Sequence, residues 1–455
     1  MLAGAEEAVY GRSGGKSMRF DQPGGDGMAL KSWIASANEP DADFPIQNLP
    51  YGVFRHGGQT QIGVAIGDCI LDLHACASRG LLAGLSEETR AACRAEWLNP
   101  LMRLGPVAWR PLRCRLTALL DEAGAVPETQ NRVRPLLVSM QEAEMELPAE
   151  IGDYTDFYAS IDHATRVGKL FRPDNPLLPN YKHIPIGYHG RASSIVASGQ
   201  EIRRPCGQTK SAESDPAFGP TRALDYELEV GFFVGPGNPL GQSIPIAEAE
   251  DHIFGLCLVN DWSARDMQTW EYQPLGPFLA KSFATTLSPW IVTLEALAPY
   301  RAWARERAAG DPTPLAYLRS PTAERDGIDL WLEAFLESRR MREAGAAPIL
   351  LGRSNLRDLY WTIAQLVAHH ASNGCNLRTG DLLATGTVSG SDAGSEGCLL
   401  EKRYNAEPIY LPDGEARTYL EDGDRITLRA YAQRPGMPRI GFGICSGTIV
   451  GASYE

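Results

Sequence analysis

Residues 223–235, ALDYELEVGFFVG, set Asp225, Glu227 and Glu229 two positions apart, in a run that also holds Leu224, Leu228, Val230, Phe232, Phe233 and Val234. A β-strand turns residues i, i+2 and i+4 to one face, whereas a helix scatters them over three directions. Read as a strand, the stretch aims carboxylates at one point while Leu228 and Val230 pack behind. Unpaired buried charge is costly. A hard divalent cation such as Mg²⁺ or Ca²⁺, which takes oxygen ligands, would offset that cost. A half-exposed strand with a polar outer face has the same pattern, and this stretch alone does not separate the two.

Three other segments carry polar groups that belong with such a cluster. IGDYTDFYASIDHATRVGKLFRP at 151–173 holds Asp156 and His163, with DHATRVG supplying one or two helical turns. Asp261 closes the apolar strand candidate GLCLVN, where a strand end presents a ligand. SARDMQTWEY reads as a helical segment with Arg265, Gln268 and Tyr272 on one side. Lys281 and Thr285 precede a further expected strand, SPWIVTL. Asp156, Glu227, Glu229 and Asp261 then form an all-oxygen cation set, with His163 as the candidate base. A lone histidine is otherwise usually a satisfied structural residue. Arg265 and Lys281, ordinary solvated cations elsewhere, would beside four acids neutralise the site or stabilise a developing negative charge. Among the eight histidines there is no H-E-x-x-H, no Cys/His cluster suggests zinc, and G-x-S-x-G and the nucleotide-binding glycine motifs are absent.

These segments need a scaffold, and the 455 residues suffice for two or three domains with real cores. Lys and Arg number 43 against 56 Asp and Glu, a net charge of −13 that offers nucleic acid no overall basic surface. No 18-residue apolar run spans a membrane. The nine cysteines are scattered without a C-x-x-C pair, as expected of reduced thiols in a cytoplasmic protein, and no signal peptide is evident. Residues 1–27 are Gly-rich and aperiodic and are expected to form a disordered extension, with Met28 as an alternative start. Residues 28–150 read as a first domain. In it, 61–73 alternate as a hairpin around Gly67-Asp68, and 86–98 form a helix capped by Ser86. An acidic, proline-containing stretch at 141–150 marks the boundary to a second domain over 151–455. Within that domain, 247–254 suggest a short helix, and 299–350 a loop plus a peripheral helix or hairpin. Leu359, Ile363, Leu366 and His370 suggest a helix ended by Asn373-Gly374. Strands follow at 381–390 and in the tail.

DFPIQNLPYGVF, IGDYTDFY, HATRVG, GYHGRASS, ELEVGFFVGPGN, NDWSARD, QTWEYQPLGPFLAKSF and IGFGICSG together resemble the fumarylacetoacetate hydrolase family over residues 43–447. NDWSARD with an upstream E-x-E is shared across that superfamily. The first domain, IGDYTDFY and WEYQPLGPFLAKSF resemble its fumarylacetoacetase branch more narrowly. The fit is weaker at 75–150 and 300–350. The resemblance implies a mainly β chain: a small N-terminal SH3-like β-barrel domain, then a larger β-roll catalytic domain with peripheral helices, in a homodimer. It implies hydrolysis of a carbon–carbon bond of 4-fumarylacetoacetate to fumarate and acetoacetate, the last step of tyrosine and phenylalanine degradation, with Mg²⁺ or Ca²⁺ as cofactor. The metal carboxylates correspond to Asp156, Glu227, Glu229 and Asp261, with Lys281 and Thr285 in the metal surroundings. His163 matches the base and Glu401 the acid that orients it. Arg265, Gln268 and Lys281 match residues around the carbonyl oxygen and leaving carbanion. Tyr158, Arg172, Gln268, Tyr272 and Thr387 match substrate-binding positions. Two rival readings stand beside this one: another enzyme of the superfamily (an acylpyruvase, a 2-keto acid hydratase or a decarboxylase), and a β-rich scaffold that binds Ca²⁺ without turnover.

Overall fold

The alternation of Ile62, Val64 and Ile66 builds the centre of the first sheet. In the computed structural model, which describes residues 30–211, 213–402 and 408–453, the strand Gln59–Ile66 pairs antiparallel with Tyr51–His56 on one side and Cys69–Asp72 on the other. The disordered extension expected at 1–27 lies outside the described residues. Gly67 takes the positive φ of 58° that the tight turn into Cys69–Asp72 requires. Leu137–Ser139 and Glu144–Met145 complete a five-stranded antiparallel sheet, and this is the small N-terminal β domain. Leu112, Leu116, Leu119 and Leu120 of the helix Pro106–Leu120 are buried in the same core. The helix after Ser86 is shorter than the sequence suggests, Glu87–Ala92, with the Ser86 hydroxyl accepting from the Thr89 amide at 3.2 Å.

The larger part of the chain is organised by a seven-stranded mixed sheet. Its order is Gly187–His189, Tyr154–Phe157, Leu382–Ala384, Leu228–Val234, Ile253–Asp261, Thr285–Leu287, Ile195–Ala197. Its two faces have different partners. Phe157, Leu228, Val230, Phe232 and Leu258 join a core with the second, five-stranded sheet, built from Ile349–Asn355, Trp331–Glu337, Arg425–Ala432, Ile440–Val450 and Glu201–Arg203. Tyr154, Phe233, Cys257, Val259, Leu382 and Ala384 join the N-terminal core instead. By the two-residue period, Asp156, Glu229 and Asp261 stand on that second face, where the apolar run gives way to acids.

Several elements differ from the sequence expectation for local reasons. SPWIVTL is not a strand: Pro289 lacks a donor, Ile291 and Val292 make only isolated bridges, and the strand lies upstream at Thr285–Leu287. Residues 247–254 are split between a 3₁₀ turn, Ala249–His252, and the start of Ile253–Asp261. The helix begins at Ile363 rather than Leu359, because Thr362 and Gln365 form a capping box there. The segment around DHATRVG is a full helix, Ile161–Phe171, capped by Ser160. Trp331–Glu337, within the stretch read as a loop with a peripheral helix or hairpin, is a strand that buries Leu332, Ala334 and Leu336.

Gly386 follows the strand Leu382–Ala384 with φ 73°, and a Cβ there would overlap the Phe157 carbonyl oxygen. Gly386→Ala is therefore expected to cost more than the roughly 1–2 kcal/mol of left-handed backbone alone. Thermal unfolding beside the parent protein checks this, with a fall of several degrees as the expected result.

Candidate metal and catalytic site

The strand that carries the acids is broken where the sequence suggests continuity. Leu224–Asp225 pairs with Ser263–Ala264, and the main sheet strand starts only at Leu228. Asp225 therefore leaves the common face. Its Oδ1 accepts from the Tyr226 and Leu399 amides, each at 2.8 Å. Its Oδ2 accepts from Arg265 Nε at 2.9 Å and the Leu400 amide at 3.0 Å. Glu227, at the break, has its own amide bound to Asn260 Oδ1 at 3.1 Å.

The remaining carboxylates converge. One oxygen from each of Asp156, Glu227, Glu229 and Asp261 lies within 4.8 Å of every other, and all four residues are buried. Asp156 pairs in register with Ala384, and Ala384 with Gly231, so only a small side chain stands between the strands bearing Asp156 and Glu229. Strands two apart lie roughly 10 Å from each other, and the methyl group of Ala384 leaves room for the two acids to lean together.

Lys281 Nζ lies 2.6 Å from Glu227 Oε2 and 2.5 Å from Asp261 Oδ2. Thr285 Oγ1 donates to Asp261 Oδ1 at 3.2 Å, and the Tyr188 hydroxyl donates to Asp261 Oδ2 at 3.0 Å. Lys281 thus enters the cluster as a cation between two carboxylates, and an ammonium has no lone pair to offer a metal.

The donor set fits a divalent cation. Both carboxylate oxygens of Glu229 and Oδ1 of Asp156 are buried without a hydrogen-bond partner among the described residues. Burial, with the neighbouring acids adding to it, pushes Asp156 and Glu229 well above the usual carboxylate range. Burial also raises Asp261, against the pull of Lys281. Glu227 goes the other way, because Lys281 and Arg265 outweigh its burial and hold it low. With all four ionised, Lys281 and Arg265 offset only part of the negative charge, since Arg265 is shared with Asp225. An oxygen-preferring divalent ion matches the remaining charge and the orphaned lone pairs together.

His163 occupies the first turn of the helix Ile161–Phe171, its amide bound to the Ser160 cap at 3.3 Å. Its Nδ1 lies 2.7 Å from Glu401 Oε1. Glu401 is itself held by Ser389 Oγ at 2.7 Å and by Arg166 Nη1 at 3.1 Å, one helical turn beyond His163. Burial opposes the charge on Glu401, but His163, the hydrogen bonds and Arg166 bring its pKa down to about 2. An ionised carboxylate against Nδ1 holds the proton there and leaves Nε2 as the free acceptor.

One cavity of about 830 Å³ joins these parts. His163, Asp156, Glu227, Arg265, Gln268 and Lys281 line it, whereas Glu229, Asp261, Thr285 and Glu401 are not among its lining residues. Arg265 spends Nε on Asp225 and Nη1 on Glu227 and Gln268, at 2.8 and 3.1 Å, while Nη2 is buried without a partner among the described residues. Tyr158, Arg172, Tyr272 and Thr387 line the same cavity. The Tyr158 ring stands edge-on to His163, with centroids 5.2 Å apart. Thr387 Oγ1 and Arg172 Nε are buried and unpartnered among the described residues, and Arg172 Nη2 donates to the Pro176 carbonyl at 3.1 Å. Tyr272, at the end of the helix Arg265–Glu271, faces Phe171 at 6.4 Å. Sequence reasoning did not assign Tyr188, Ser389 or the contact of Arg166 with Glu401. Tyr188 lies in the quoted GYHGRASS, between two glycines, but its spacing from Asp261 carries no local signal.

An oriented imidazole beside a carboxylate cluster fit for a divalent cation supplies what metal-assisted hydrolysis needs, so fold and site together define a mainly β, metal-dependent enzyme class. The family model for the fumarylacetoacetate (FAA) hydrolase C-terminal region matches residues 154–450, and that for the fumarylacetoacetase N-terminal region matches residues 47–148. The fumarylacetoacetase of Caenorhabditis elegans is 48% identical over 430 residues, covering 93% of this chain and 100% of that protein. Those of Rattus norvegicus and Homo sapiens are each 48% identical, covering 90% of this chain and 97% of theirs. The chain belongs to the fumarylacetoacetate hydrolase family.

Proposed function

We propose that this chain hydrolyses 4-fumarylacetoacetate to fumarate and acetoacetate, the closing step of tyrosine and phenylalanine degradation. The observation that carries the reading is that His163, oriented by Glu401, and the carboxylate cluster line or back one cavity. The near-half identity to fumarylacetoacetases along almost the whole chain supports the choice of substrate. Asp156, Glu227, Glu229 and Asp261 hold the metal, for which the all-oxygen set favours Mg²⁺ or Ca²⁺. A bound divalent cation supplies Lewis-acid polarisation of the substrate's diketone oxygens.

The chain's own residues do the rest. His163 Nε2 takes a proton from water, and the hydroxide oxygen bonds to the ketone carbon on the fumaryl side. Arg265, Gln268 and Lys281 stabilise the oxyanion that forms, and Nη2 of Arg265 is the donor still to be satisfied. The carbon–carbon bond then breaks, its electron pair leaves with the acetoacetate carbon, and the proton held by His163 completes the balance there. Tyr158, Arg172, Tyr272 and Thr387 hold the substrate. No serine or cysteine nucleophile is required.

The same reading places the domains at 28–150 and 151–455, the protein in the cytoplasm, and two copies in a homodimer, without a nucleic-acid or membrane partner. No helix among the described residues is long and apolar enough to cross a membrane.

Turnover of fumarylacetoacetate in the presence of Mg²⁺ or Ca²⁺, followed by loss of diketone absorbance, is the test. One fumarate and one acetoacetate per substrate consumed is the expected result. Turnover of an acylpyruvate or a 2-keto acid in its place would assign the chain to another branch of the superfamily. No metal-dependent rate with any of them would leave a calcium-binding scaffold.

A further inference from the structure

Asp225 is fully buried, ionisable and absent from the cavity wall. Such a group is costly unless every lone pair is used. Here all are used: the neighbouring Tyr226 amide takes one, and the other three donors come from two distinct parts of the machinery. One is the guanidinium of Arg265, bound through Nε at 2.9 Å. The other is the first turn of the short helix Leu399–Lys402, bound through the amides of Leu399 and Leu400 at 2.8 and 3.0 Å. That turn carries Glu401, the partner of His163 Nδ1.

We infer that Asp225 is a positioning residue that sets the oxyanion-binding Arg265 and the base-orienting Glu401 in one frame; the inference rests on the function proposed above. Arg265 has three nitrogen sites. With Nε held by Asp225 and Nη1 by Glu227 and Gln268, the guanidinium plane has no rotational freedom left, and Nη2 remains for the substrate. The same carboxylate, through Leu399 on Oδ1 and Leu400 on Oδ2, fixes where the turn carrying Glu401 begins. A displacement at Asp225 therefore moves the oxyanion donor and the imidazole together, although Asp225 touches neither substrate nor metal ligand.

Asparagine is close to isosteric with aspartate but offers one acceptor oxygen. Its NH₂ would confront either the Arg265 Nε–H and the Leu400 amide or the Tyr226 and Leu399 amides, donor against donor. Asp225→Asn is thus expected to lower kcat by about 10–10²-fold, somewhat less than loss of an oxyanion donor outright, with KM and metal content little changed. A double-mutant cycle separates positioning from mere support of the fold. In an Arg265→Gln or Glu401→Gln background, Asp225→Asn should cost much less than it does alone, since the group it acts through is already gone. Rates are taken per folded molecule, with thermal unfolding alongside. Where the asparagine variant does not fold, Asp225→Glu, which keeps the charge and shifts it by one methylene, is put through the same cycles. A kcat within threefold of the parent, or full additivity in both cycles, would overturn the inference. Failure of the parent protein to turn over fumarylacetoacetate would instead overturn the reading on which it rests.

Discussion

Replacing His163 with alanine is expected to lower kcat by roughly 10²–10⁴-fold, the usual contribution of a general base. KM should hold, because the substrate contacts proposed for Tyr158, Arg172 and Tyr272 do not pass through the imidazole. Metal content should hold too, since His163 is outside the four-carboxylate set. Glu401→Gln should cost less, because a neutral amide still accepts the Nδ1 proton but no longer stabilises the imidazolium that forms. A purely structural histidine predicts a destabilised protein whose folded fraction turns over at near the normal rate. Measuring kcat per folded molecule decides between them, and retention of more than about a tenth of the parent kcat would remove His163 from the role of base.

Stripping the divalent cation is expected to abolish turnover, and adding Mg²⁺ or Ca²⁺ to restore it; full activity in protein shown metal-free by elemental analysis would refute the site. The effect on stability has a sign fixed by the acids. In the metal-free fold, burial raises Asp156 and Glu229 above their ordinary range. Between the unfolded value of about 4 and that raised value, the unfolded chain releases these protons while the fold keeps them. The contribution is therefore whole below the unfolded pKa and is lost as pH rises through the window. Cation binding needs the same groups ionised, so it strengthens over the same range. The gap in unfolding temperature between loaded and chelated protein should accordingly widen as pH rises above the unfolded carboxylate value of about 4. A gap that narrows would mean that the acids are not what holds the ion. Glu229→Gln should shrink the gap at every pH, since both its oxygens otherwise lack partners among the described residues.

Much of this site is legible locally. Glu227 and Glu229 announce themselves by spacing, and Asp261 by ending the apolar strand Ile253–Asp261. The tail strand Arg425–Ala432 follows the two-residue period of its burial, whereas the hairpin strand before Gly67 is buried on both faces, with Ile62, Val64 and Ile66 in one core and Ala65 in another. Asp225 misleads because the alternation of residue types runs on through Tyr226 and Glu227, whereas the backbone changes partner strand there. Glu401 carries no periodic signal, since its place is set by contacts with His163 and Ser389 far away in sequence; only family resemblance points to it. Tyr188 and Ser389 are hidden for the same reason. The strand at Trp331–Glu337 is obscured because Trp331 and Phe335 alternate with Glu333 and Glu337 on its outward face, although Leu332, Ala334 and Leu336 already stand at period two. Pro289, which lacks a donor, is the local cue against a strand at SPWIVTL.

The strand Leu382–Ala384 is hydrogen-bonded to Tyr154–Phe157 on one side and to Leu228–Val234 on the other. On a ribosome, Asp156, Glu227, Glu229 and Asp261 have all emerged long before the strand that sets the spacing of Asp156 from Glu229 is made. Until it arrives, the growing sheet has an open seam, and its acids are free to stay apart in water. Closing that seam is a long-range pairing, of the kind that is slow relative to local structure. The ion therefore has no four-ligand nest to enter on a half-made chain.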